Sequence, residues 1–100
     1  MDGTIIIMDY SSYERQRIRH IIEKTGNFSI VEVGSYNQFI LLDINIDDLK
    51  LIIMDLSFPT EKEGFEALER IRSSENRHVP VIIVTRSDKR ENKVEALKYA

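Results

Sequence analysis

Along the chain, unbroken apolar runs alternate with segments whose apolar positions have helical spacing. Ile5-Ile6-Ile7-Met8, Leu51-Ile52-Ile53-Met54 and Val81-Ile82-Ile83-Val84 are uninterrupted quartets that read as strands, and the first has the pattern of a strand covered on both faces by helices. The first reads as a central strand. Phe28 to Val33 alternates instead, with Ser29 and Glu32 between apolar neighbours, which predicts a strand nearer the sheet edge. Ser11 or Ser12 opens a first helix that runs to Thr25, and Ser11 with Glu14 has capping-box spacing. Its core stripe is Ile18, Ile21 and Ile22, the rest of its surface is strongly basic, and Gly26 stops it. Tyr36, Phe39 and Ile40 predict a second helix that ends where Asp43 to Asp48 mixes isoleucines with turn formers. A loop from Ser57 to Glu63, containing Pro59, precedes a third helix carrying Phe65, Leu68 and Ile71. Asp88 with Glu91 caps a fourth, bearing Val94 and Leu97.

Strands alternating with helices in units of about 25 residues, without a residue-level repeat, predict βαβ units and a parallel α/β sheet. One hundred residues suffice for one domain with one core, spanning 1–100. With 42% hydrophobic and 31% charged residues and no biased tract, the composition is globular rather than disordered. Fourteen basic against seventeen acidic residues leave a net charge of −3, so no basic field points to nucleic acid or a membrane surface, and the partner class is protein or small ion. The absence of cysteine excludes a disulfide framework, a thiol nucleophile and a cysteine metal site, and it suits a reducing cytoplasm. The N-terminus lacks the basic start and long apolar core of a signal peptide. No run approaches the roughly 20 apolar residues of a membrane span.

Each apolar quartet is followed at once by an oxygen-bearing residue: Asp9 after Met8, Asp55 after Met54 and Thr85 after Val84. In an open parallel sheet the carboxyl ends of the strands share one edge, where such folds bind ligands. Two carboxylates and a hydroxyl would converge there. Carboxylates placed together repel unless a proton or cation intervenes, and Mg²⁺ is held by one or two carboxylates together with phosphate oxygens. Taken singly, each aspartate also fits a plain role in starting a turn or capping a helix.

Together these residues resemble the response-regulator receiver domain of two-component signalling, and the resemblance runs over the whole chain. Met8-Asp9-Tyr10-Ser11-Ser12 is similar to the family's acidic turn after strand one, and Met54-Asp55-Leu56-Ser57-Phe58-Pro59 to its phosphoacceptor strand with the following proline. Gly64-Phe65-Glu66-Ala67-Leu68 resembles the opening of helix three, and Val79-Pro80-Val81-Ile82-Ile83-Val84-Thr85 resembles strand four with its hydroxyl residue. The resemblance implies a flavodoxin-like, doubly wound parallel sheet and a phosphorelay switch rather than a turnover enzyme. Asp55 would take a phosphoryl group from a sensor histidine kinase or phosphotransfer protein. Mg²⁺ would be held by Asp55, Asp9 and the backbone carbonyl of Ser57, and Thr85 would contact the phosphoryl group.

Several positions depart from the family pattern. Tyr10 replaces the second of two adjacent acids, so Mg²⁺ affinity is expected to fall unless Glu14 or another group compensates. Arg86 stands where a small residue is usual, and the loop between Asp55 and Gly64 is one residue longer than the common pattern. The chain stops within what would be helix four, before the fifth strand with its lysine and the fifth helix, and Lys89, Lys93 and Lys98 do not fill that lysine's role. Strand four would then be an exposed edge through which two copies could pair. A pseudo-receiver, the same fold used as a phosphorylation-independent binding module, is the alternative reading. A haloacid-dehalogenase-type phosphatase needs a second aspartate where Ser11 stands, and no glycine-rich phosphate loop or nucleophile elbow is present. His20 and His78 lack a second ligand at helical or loop spacing and read as surface residues. The arginines of helix one read as a solvated face, with a partner-binding patch as the competing role.

Overall fold

The computed structural model describes residues 2–56 and 60–84. Within them the chain runs β1 (Thr4–Met8), α1 (Ser12–Glu23), β2 (Ser29–Val33), α2 (Tyr36–Leu41), β3 (Leu49–Asp55), α3 (Glu61–Arg72) and β4 (Val81–Val84). The strands form one sheet in the order β2-β1-β3-β4, with every pairing parallel. As the apolar quartets predict, β1 is central. The alternating strand β2 lies at the edge.

Side-chain alternation divides the core between the two faces of the sheet. Ile6 and Met8 of β1 and Ile52 and Met54 of β3, all fully buried, pack with Phe39 of α2 and with Ala67, Leu68 and Ile71 of α3. Ile5 and Ile7 turn the other way, against Ile18 and Ile22 of α1, with Ile30, Leu51 and Ile53 around them. Helices on both faces explain why these strands carry no polar alternation. The order 2-1-3-4 defines a flavodoxin-like doubly wound sheet, in which the winding reverses between β1 and β3.

Two helices differ from the sequence expectation, α1 in the face it buries and α3 in where it starts. In α1 the predicted core residue Ile21 is 60% exposed. The inward stripe is Arg15, Ile18, Arg19 and Ile22, the spacing of a single helix face, and two of its four members are charged. An apolar-only reading therefore rotates the helix. In α3 the loop ends earlier than expected, because Thr60 caps the helix by accepting a hydrogen bond from the Glu63 N–H at 3.3 Å. The irregular stretch between α2 and β3 is held from outside its own sequence. Asn76 Nδ2 donates to the Ile46 carbonyl at 3.1 Å and also reaches that of Ile44, and both isoleucines lie against the core. The predicted fourth helix lies outside the described residues.

Gly64 sits in the first turns of α3 directly over the chain that follows β3, and a Cβ there would run into the Leu56 carbonyl oxygen. The obstacle is backbone, so it cannot yield as a side chain would. Gly64→Ala is expected to destabilise the protein by about 1–3 kcal/mol, the usual cost of overpacking, read as a lower urea midpoint. An unchanged midpoint would show that α3 does not depend on this close approach.

Candidate functional site

At the carboxyl edge of the sheet, Met8 is in register with Met54, which places Asp9 and Asp55 at the ends of neighbouring strands. Asp9 continues the parity of Ile5 and Ile7, and Asp55 that of Leu51 and Ile53, so both belong to the α1 face. Both are buried, with 4% and 3% exposure. Strand spacing of about 4.8 Å makes them close neighbours. Buried carboxylates this close are unfavourable alone and call for a cation, a proton or donor groups. The pair lies at the point where the winding reverses, the usual ligand position in open α/β sheets.

Asp9 is fixed by several hydrogen bonds. Its N–H donates to the Val33 carbonyl at 3.1 Å, extending the β1–β2 ladder. Its Oδ1 accepts the Ser11 N–H at 2.8 Å, closing a tight turn into α1. Its carbonyl accepts Arg15 Nη1 at 2.6 Å. Ser11 caps α1 as expected, its Oγ accepting the Glu14 N–H at 3.2 Å. The reciprocal half of the predicted capping box is absent, because the Ser11 N–H is already taken by Asp9. The Glu14 carboxylate pairs instead with Arg17 at 3.1 Å. That accounts for Glu14 as a surface ion pair.

The basic face of α1 is only partly solvated. Glu32, on β2 opposite Ile7, accepts Arg15 Nε at 3.1 Å and Arg19 Nε at 2.7 Å. With side-chain exposures of 18%, 32% and 19% for Arg15, Arg19 and Glu32, this is a half-sheltered three-charge network, whereas Arg17 is 58% exposed. Burial pushes the Glu32 carboxyl up, but the hydrogen bonds from Arg19 and Arg15, with their charges, together hold it below its ordinary value. In sequence Glu32 looked like the polar half of an edge strand. Arginines four residues apart on α1, facing one acid on the next strand, were the available signal.

Tyr10 is 67% exposed, so the position of the family's second acid lies at the surface. His20 and His78 are exposed, as expected. Ser57, Thr85, Arg86, Lys89, Lys93 and Lys98 lie outside the described residues. Among the described residues no group of three or more His, Cys, Asp or Glu side chains is arranged to hold a metal ion. Asp9 and Asp55 are therefore the acidic donors the described fold offers there. A cavity of about 300 Å³ bounded by Phe39, Leu42, Ile44, Arg70 and Ser74 lies toward the other end of the sheet and does not touch them. No described helix is long and apolar enough to cross a membrane.

The fold and its paired acids define a flavodoxin-like domain with an acidic site at the β1/β3 switch point. The response regulator receiver domain family model matches residues 5–100, and the chain belongs to that family. It is a receiver domain of two-component signal transduction. Among solved structures, a signal receiver domain of a two-component histidine kinase from Clostridium thermocellum is 40% identical, with a TM-score of 0.92, covering 99% of this chain and 80% of that one. A receiver domain of a signal transduction histidine kinase from Syntrophus aciditrophicus is 26% identical, with a TM-score of 0.74 and coverages of 98% and 73%. The chemotaxis response regulator CheY4 of Vibrio cholerae shares the fold at 19% identity, with a TM-score of 0.81 and coverages of 100% and 82%. Comparison with curated proteins produces no match.

The lowered Glu32 value carries a signed pH dependence. A carboxyl whose folded pKa lies below its unfolded value adds stability that is fully present above the unfolded value, 4.5 here, and lost as pH falls through the folded one. Glu32→Gln should cost about 1–3 kcal/mol at neutral pH, with the deficit shrinking as urea midpoints are measured down to about pH 3. A deficit that stays constant across that range would show that the charge on Glu32 contributes nothing.

Proposed function

We propose that Asp55 is the phosphoacceptor of this receiver and that it is served by a kinase or phosphotransfer partner presenting a phosphohistidine. An Asp55 carboxylate oxygen attacks the phosphorus of a phosphohistidine whose ring carries a proton on its other nitrogen; a P–O bond forms, the P–N bond breaks, and its electron pair stays on the ring nitrogen. The products are an acyl phosphate on Asp55 and a neutral histidine. The observation that carries this reading is the nearly complete burial of Asp9 and Asp55 at adjacent strand ends on one face of the sheet. A buried carboxylate is less hydrated than an exposed one, so less water has to be displaced before it attacks phosphorus.

Two carboxylates with backbone and phosphoryl oxygens are hard donors that fit Mg²⁺. Asp9, Asp55 and the Ser57 carbonyl would hold the ion, and when bound it would neutralise charge on the transferring phosphoryl oxygens. Thr85 would hydrogen-bond the phosphoryl group once it is on Asp55. The role is a switch, in which the modified site biases a two-state surface rather than releasing product. The domain reading extends over 1–100, and the cysteine-free sequence suits a cytoplasmic setting.

A second reading, a pseudo-receiver that binds partners without phosphorylation, draws on Tyr10. That residue is an exposed phenol where the family carries an acid. Incubation with acetyl phosphate and Mg²⁺, followed by intact-mass measurement, separates the two. The parent should gain one phosphoryl group and Asp55→Asn none. No gain in the parent favours the pseudo-receiver, and gain in Asp55→Asn moves the nucleophile elsewhere. Tyr10→Asp should tighten Mg²⁺ binding on the order of tenfold, and an unchanged affinity in a calorimetric titration would remove Tyr10 from the metal site.

A further inference from the structure

The geometry points to Arg15 as a positioning residue for the acid turn, a guanidinium anchored on Glu32 that clamps the Asp9 carbonyl and so fixes where the Asp9 carboxylate lies. Arg15 uses its fork in two directions at once. Nε donates to Glu32 Oε1 at 3.1 Å, and Nη1 donates to the Asp9 carbonyl at 2.6 Å, with a longer 3.4 Å approach to the Tyr10 carbonyl. One side chain from α1 thereby ties the end of β1 to β2. A planar guanidinium spans two acceptors in this way, and an ammonium is a point donor that cannot.

The surroundings are shaped for the clamp. Gly34, the residue after β2, leaves the space that the guanidinium occupies, since a Cβ there would lie 2.9 Å from Arg15 Nη1 and 3.3 Å from its Cζ. Arg19 shares Glu32 through the other carboxylate oxygen at 2.7 Å, which holds Glu32 in place from a second side. Arg15 and Asp9 flank the turn whose inner bond is the Ser11 N–H to Asp9 Oδ1 at 2.8 Å. A displaced Asp9 carbonyl would open that bond. With an acid missing at position 10, the placement of Asp9 carries more of the site's charge, and a clamp on its backbone bears directly on it.

The metal arm of the test rests on the reading of Asp9 as a metal-site residue; the other arm does not. In the metal-free protein, amide hydrogen exchange at Ser11 reports the turn, with Ile6 and Ile52 as core references. Arg15→Met removes the clamp, and Gly34→Ala displaces the guanidinium while leaving its charge and Glu32 intact. Both should speed Ser11 exchange on the order of tenfold without moving the core amides, and both should weaken Mg²⁺ binding by about tenfold, the scale of losing an outer-sphere partner. Arg15→Lys should recover only part of either effect. Unchanged Ser11 exchange, or acceleration matched at Ile6 and Ile52, would overturn the proposal and leave Arg15 as an ordinary ion pair. If the parent binds no Mg²⁺, the metal reading fails by itself and the exchange measurement alone decides the role of Arg15.

Discussion

Two carboxylates at neighbouring strand ends, on one face and out of water, are the constraint around which this molecule is arranged. Carboxylates brought together out of water are unfavourable unless a cation, a proton or donor groups intervene. The parallel register of β1 and β3 makes the conflict unavoidable, because pairing Met8 with Met54 sets Asp9 beside Asp55 whatever the loops do. A slip of one residue in either strand would turn one acid to the opposite face and bring its buried isoleucines out of place. The core and the site are therefore specified by the same register.

What the fold does around that pair is hold it still. Gly64 lets α3 close onto the Leu56 carbonyl one residue beyond Asp55, and on the other side Arg15 closes onto the Asp9 carbonyl. Both devices act on backbone carbonyls rather than on the carboxylates themselves. Glu32 completes the arrangement. Without it, a guanidinium next to the acids would be drawn to the carboxylates; paired at 3.1 Å, it stays with the backbone. Two arginines against one acid leave a residual positive charge near the pair.

Most of the architecture was legible in the chain because unbroken apolar runs leave a strong mark, even in β4, where Ile82 and Val84 are exposed. Three unbroken apolar quartets named three strands, and in the fold β1, β3 and β4 contain them. The acids that follow the first two quartets became neighbours through topology alone. The elements that were harder to read are those stabilised by partners distant in sequence. The segment between α2 and β3 depends on Asn76, some thirty residues on. The face of α1 was misjudged because periodicity weighs apolar residues and counts arginine as outward, whereas Arg15 and Arg19 turn toward Glu32 and leave Ile21 exposed. An inward arginine is invisible to a hydrophobic pattern unless its acid is found first.

The same logic bears on Tyr10. If the proposed metal site forms at the acid pair, the absence of an acid at position 10 would leave one negative charge fewer there and so less repulsion for a cation to relieve. The domain would then be easier to keep folded without metal, and the drive to bind metal would be weaker. A receiver built this way would show a smaller stability gain from Mg²⁺ than one with both acids, because the gain is set by the differential affinity of the folded state for the ion. On that reading Tyr10 would shift the balance between a site that must be filled and one that tolerates being empty, and, being exposed, it would do so without touching the register or the core.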